Sequence, residues 1–209
     1  KGEKIFADAG KLLSKKNITM TPRMKGGIIG ALTREVSGAT AFVTDFEANT
    51  DVGEVTLSGT LPGKIFAIEL NENESFIAEH YAFVAAEDSI RFTMQTVSIS
   101  AALFGGAGFI LQKFVGPGVV FLHVVGNIVE YDLDGSTPLE IDTQHIAGFS
   151  DTLQYRITFV DNIRSALFGG VGVFLAKFEG GGKVVAHSVS RYKLANELYL
   201  LGAKQAKGK

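Results

Sequence analysis

The chain has 209 residues and a net charge of −2, with no cysteine. That balance excludes disulfides, thiolate metal sites and a catalytic cysteine, and it lacks the basic excess through which nucleic-acid binders gain most of their affinity. Twenty-five glycines and sixteen phenylalanines point to strands joined by tight bends, because glycine breaks helices and Phe packs well on pleated surfaces.

Taken in order, the chain begins at Lys1, so the native start is expected to lie upstream. "GIIGALTREV" (Gly27–Val36) has helix spacing after a glycine pair. The Gly26-Gly27-Ile28-Ile29-Gly30 run could present amides to an anion, but the Lys and Ser/Thr of a phosphate loop are missing, and a structural turn is the expected reading. "KIFAIEL", "SIRFTMQTV", "GFILQKFVG", "GVVFLHVVG", "IVEYDLD", "LQYRITFV", "VGVFLAKFEG" and "KVVAHSVS" read as short strands bounded by Gly, Asn, Asp or Pro. In "LQYRITFV", Leu153, Tyr155, Ile157 and Phe159 share one face. "VGPGV" and "EGGGK" are expected to be hairpin turns. "YKLANELYLLG" predicts a helix over about 193–201, stopped by Gly202, with "GAKQAKGK" as a frayed, solvated end.

A repeat organises these elements. Between Ile99 and His123, fourteen of twenty-five positions match Ile163–His187 at an offset of 64. Weaker matches extend upstream, placing His80 against His145, and a fainter copy opens the chain with Gly10 and Ser58 where the others have histidine. Repeat units of about 3–62, 63–131 and 132–193 are expected within one all-β domain over 1–209.

"ADAGKLL", "MKGGIIGALTREVSG", "LPGKIFAIEL", the two "ALFGG" runs and "GPGVVFLH" resemble the altered-inheritance-of-mitochondria twenty-four family over about Gly2 to Leu201. The resemblance implies an antiparallel β-sandwich of double-stranded β-helix type, similar to the tryptophan RNA-binding attenuation protein, with three pseudo-equivalent repeats. It implies no known enzymatic activity. Mitochondrial members are associated with inner-membrane organisation; likeness of fold to an RNA binder does not fix function.

The candidate sites derive from the repeat. His80, His123, His145 and His187 form two repeat-related pairs, and four converging imidazoles could ligate a transition metal. No metal-ligand spacing supports this, so no metal or other cofactor is expected. Asp132, Asp134, Asp142 and Asp151 sit at strand ends, and "YDLDGSTP" shares only Asp-x-Asp-Gly with a calcium loop. No nucleophile elbow exists, so no enzyme is expected. Leu103, Phe104, Leu167 and Phe168 either plug the sandwich or meet another subunit or a membrane surface. The expected function is a non-catalytic, self-associating scaffold or protein-interaction module. It is expected to be a cytoplasmic homo-oligomer that does not bind nucleic acid. The alternatives are a small-molecule or RNA-binding module, a His-ligated metal protein, an unrecognised enzyme, or a peripheral membrane partner.

Overall fold

The computed structural model describes residues 1–24, 42–97, 109–159 and 174–207. Among the described residues the chain is all-β apart from one helix and two short 3-10 turns. It divides into two compact units, Lys1–His123 and Val124–Lys209. No helix among the described residues is long and apolar enough to cross a membrane.

In the first unit, β1 (Lys4–Asp8), β3 (Ile18–Met24) and β4 (Phe42–Ala48) form a ladder with β4 in the middle. β2 (Leu12–Lys16) pairs with β5 (Glu54–Leu57). The pattern then recurs. β10 (Phe109–Val115) lies between β7 (Ser75–Glu79) and β9 (Arg91–Val97), while β8 (Phe83–Glu87) pairs with β11 (Gly118–Val125). β8 is also paired with β1, and β6 (Gly63–Leu70) lies on the far side of β11.

In the second unit, β16 (Phe174–Glu179) lies between β13 (Leu139–Asp142) and β15 (Gln154–Phe159). β17 (Gly181–His187) lies between β14 (Ile146–Ser150) and β12 (Ile128–Asp134). Helix α1 (Arg191–Lys207) comes next.

The likeness among these pairings reaches single residues. Phe46 is paired with Ile5 and Met20, Phe114 with Phe76 and Phe92, and Phe178 with Leu139 and Tyr155. One residue is skipped at the same place in three ladders: Leu13 in β2, Val84 in β8 and Ala147 in β14. A bulge adds a residue to one strand and re-aims the side chains beyond it, so its recurrence fixes which residues correspond.

Each unit builds its own aromatic core. Phe83 stacks on Phe114 at 5.1 Å between centroids, and Phe6 contacts both Phe83 and Phe92. In the second unit Phe149 meets Phe178 and Tyr155, each at 4.9 Å. Such pairs add about 0.5–1.5 kcal/mol beyond the apolar area they bury. Burial raises the pKa of the Tyr155 hydroxyl, with the Asp151 carboxylate adding to the effect.

Two expectations need correction. The glycine-rich "VGPGV" and "EGGGK" segments are not hairpin turns, because β10 does not pair with β11, nor β16 with β17. They are corners that carry the chain from one pairing to another, and Gly118 and Gly180 take positive φ there. The helix does not stop at Gly202 but continues to Lys207, so most of "GAKQAKGK" is helical. An exposed helix tolerates one glycine at a cost of about 1 kcal/mol when good helix formers come after it, as Ala203, Lys204, Gln205 and Ala206 do. The expected helix at 27–36 lies outside the described residues.

Candidate functional site

The histidines are placed by the ladders. β11 delivers His123 and β17 delivers His187 to corresponding positions, one residue past the segment that pairs with the bulged strand. His123 Nε2 donates to the Leu61 carbonyl at 3.0 Å. His187 Nδ1 accepts from the Val125 amide at 3.0 Å. Each ring thus holds the backbone that leads into the strand lying beside it, β6 for His123 and β12 for His187. Since a carbonyl can only accept and an amide can only donate, both neutral rings carry their proton on Nε2.

His123 sits in a polar pocket of the first unit. Its ring lies against Gly59, where a Cβ would overlap the imidazole. Lys11 is also buried, with Nζ donating to Thr60 Oγ1 at 2.6 Å. Burial lowers the His123 pKa and the Lys11 ammonium adds to the shift, while the bond to Leu61 opposes it.

His80 and His145 do not occupy corresponding positions. The 3-10 turn His80–Ala82 matches Thr143–His145, with Glu79 and Asp142 each accepting the amide two residues on. The offset is 63 through β9 and 64 from β10 on, because Phe92 and Phe114 are one residue closer in sequence than Tyr155 and Phe178. His80 lies buried with Nδ1 at 3.5 Å from Glu79 Oε1. His145 Nδ1 donates to the His187 carbonyl at 2.7 Å. Among the described residues no group of three His, Asp or Glu side chains could hold a metal ion.

The remaining candidates separate as well. Asp134 accepts from the amide and hydroxyl of Ser136 at 2.8 and 2.6 Å, which holds its carboxyl below the usual range and closes a turn. Asp132 and Glu130 face Lys183 across β12 and β17, at 3.6 and 3.1 Å. Asp142 lies 3.6 Å from Lys193 of α1. Leu103, Phe104, Leu167 and Phe168 lie outside the described residues, as do Gly26–Gly30.

The sequence reading missed two features. Lys11 is a lysine near the start of the chain, yet it is buried. The other is the surface of α1. Ser190 caps its first turn, accepting from the Lys193 amide and donating to Gln144 Oε1 at 2.9 Å. Beyond that anchor, Leu198, Tyr199, Leu200 and Leu201 are 59%, 73%, 42% and 56% exposed.

Comparison with known proteins assigns the architecture. A family model described as mitochondrial biogenesis AIM24 matches residues 1–189. The chain belongs to the AIM24 family. A relative of this AIM24 chain, an uncharacterized protein of Streptococcus pyogenes serotype M6, is 29% identical over 206 residues, covering 94% of this chain and 82% of the relative. A crystal structure of a Streptococcus pyogenes protein superposes with a TM-score of 0.78 at 26% identity, covering 96% of this chain and 90% of that one. The family expected from the sequence motifs is therefore the family found. The AIM24 match ends before α1, so the helix with the exposed leucines lies outside the matched region.

Proposed function

We propose that this chain is a non-catalytic scaffold that self-associates, with α1 as the contact between copies. The observation that carries the reading is the row Leu198–Leu201, four large apolar side chains left in solvent on one short stretch of helix. Leu198 and Leu201, three residues apart, share one face of the helix, and an exposed apolar face of this kind marks an interaction surface. A helix of this length is marginal in water without a packed face, and its first turn is tied down through Ser190 and Lys193. A second copy offers the same surface in return, which is how closed homo-oligomers form. The cysteine-free composition supports a reducing, cytoplasmic setting.

Light scattering behind size exclusion tests the proposal. The chain is expected to run as an oligomer at micromolar concentration, and the Leu198→Ser/Leu201→Ser variant as a smaller species with unchanged circular dichroism. A monomeric parent chain would refute it.

A further inference from the structure

We infer that His187 is an acid-sensitive latch at the root of α1, whose protonation frees the helix and so loosens the contact between copies; the second step rests on α1 being that contact. The run His187–Ser190 carries the chain from the end of β17 into α1. All four of its residues are bonded to neighbouring elements. His187 Nδ1 accepts from the Val125 amide at 3.0 Å, and its carbonyl accepts from His145 Nδ1 at 2.7 Å. The Ser188 amide donates to the Asn127 carbonyl at 3.0 Å, while its hydroxyl oxygen accepts from the Asn127 amide at 2.7 Å. The Val189 amide donates to the Val125 carbonyl at 3.3 Å, and Ser190 donates to Gln144. The run is thus strapped to Val125–Asn127 on one side and to the 3-10 turn Thr143–His145 on the other. Gly126, at positive φ, permits the close approach: a Cβ there would overlap the Ser188 hydroxyl.

The two histidines of this strap respond to acid in opposite ways. His145 gives a proton to a carbonyl, and its Nδ1–H is present in the imidazolium as well as in that neutral tautomer. Its bond survives protonation. His187 takes a proton from an amide, which only an unprotonated Nδ1 can do. Protonation of His187 sets two N–H groups against each other and leaves the buried Val125 amide without its acceptor. The half-buried ring must then turn away, and the strap turns with it. This is how a histidine converts a change of pH into a change of structure.

The surrounding charges come from known places. The 3-10 turn brings His145 and, at its cap, Asp142; α1 brings Arg191 and also Lys193, which lies 3.6 Å from Asp142. On β12, Ile128 pairs with His187, and Glu130 two residues on meets Lys183 of β17 at 3.1 Å. His123, two residues before Val125, is bonded to the Leu61 carbonyl. Val125–Asn127 and β14 carry no titratable side chain. Carboxylates, lysines and arginines ordinarily hold their charge between about pH 7.5 and 5.5, so the imidazoles are the groups that change there, and His187 is the one whose bond breaks.

Hydrogen exchange of the full chain tests the latch, read as protection factors so that the intrinsic effect of pH on exchange drops out. Between about pH 7.5 and 5.5 the Val125, Ser188 and Val189 amides and the first turn of α1 should lose protection by about tenfold or more. His187→Asn keeps an acceptor near the place of Nδ1 and does not titrate, so its protection should be equal at the two pH values. His145→Asn keeps a donor for the His187 carbonyl and leaves His187 to titrate, so its loss should match the parent's. Equal protection at both pH values in the parent would overturn the inference. So would a loss in His187→Asn as large as the parent's, or a loss that vanishes in His145→Asn. A second measurement needs no variant: nitrogen-detected titration should place the protonation midpoint of His187 at the midpoint for loss of Val125 protection, and separate midpoints would overturn the latch. Light scattering at the same two pH values reads the oligomer, which should shrink in acid for the parent and not for His187→Asn. A chain monomeric at both values defeats the α1 proposal while the exchange result stands, and an oligomer with unchanged exchange defeats the latch alone.

Discussion

His123 and His187 each reach back sixty-two residues to grip the backbone, His123 through the carbonyl of Leu61 and His187 through the amide of Val125. The rings use opposite nitrogens for the two bonds, yet both bonds require the same neutral tautomer, with the proton on Nε2. Nitrogen-detected spectra of the imidazoles at neutral pH should therefore show Nδ1 of both residues as the unprotonated, pyridine-like nitrogen. A protonated Nδ1 on His187 would mean that the Val125 amide is held by something else.

Gly59 makes room for the first of these clamps. A methyl group at this position would overlap the His123 ring, and the ring cannot retreat without losing Leu61. Gly59→Ala should cost about 1–3 kcal/mol, in the range of overpacked sites. In the double variant with His123→Ala the clash disappears, so the two costs should not add. Urea denaturation of the four species measures the coupling. Strict additivity would show that the ring and the glycine do not press on one another.

The same ring makes stability depend on pH. Burial, aided by the Lys11 ammonium, holds His123 below its ordinary pKa of 6.5. The unfolded chain therefore takes up the proton first on acidification. The contribution to stability is whole above about pH 6.5 and is lost as the pH falls toward the lower folded value. Denaturation midpoints between pH 7.5 and 5.5 should drop for the parent chain and drop less for His123→Gln. Parallel profiles would remove His123 as the titrating group.

Phe114 and Phe178 test how far the corresponding ladders share their energetics. Both are fully buried at the centre of a three-strand ladder. Replacement of either by alanine should cost about 3–5 kcal/mol. The Phe178 cavity is lined by Phe149 and Tyr155 and the Phe114 cavity by Phe83 and Phe92. Loss of either phenylalanine should therefore be felt to a similar degree in thermal unfolding. A cost below about 1 kcal/mol at one site would show that its ladder packs differently from the other.

Much of this architecture was legible in the residue order because strands half-buried on one face alternate. "IVEYDLD" predicts β12 residue for residue, and "LQYRITFV" separates buried Leu153 from exposed Gln154 as it should. Pairing was less legible. Glycine at Gly118 and Gly180 signals a bend, but a bend toward the adjacent strand and a bend toward a different one need the same φ. The match of His80 to His145 needs an offset of 65, two more than the 63 that relates the two 3-10 turns, so identical side chains drew together residues that the ladders keep apart. Lys11 was hidden for another reason: only the fold brings Thr60, forty-nine residues away, to its ammonium.

The root of α1 decides whether the exposed leucines are held in one orientation. Ser190 is buried, accepts from the Lys193 amide and donates to Gln144 at the second 3-10 turn. Removing a serine cap costs about 0.5–2 kcal/mol of local helix stability. Ser190→Ala should thus fray the first turn and loosen the Lys193–Asp142 contact while β12–β17 stay intact. Hydrogen exchange should speed up in α1 alone, and the oligomer should dissociate at higher concentration than the parent. Ser190→Asp keeps a capping acceptor for the Lys193 amide but cannot donate to Gln144. Recovery of slow exchange in this variant would assign the effect to the cap, and its failure to recover would assign it to the bond with Gln144.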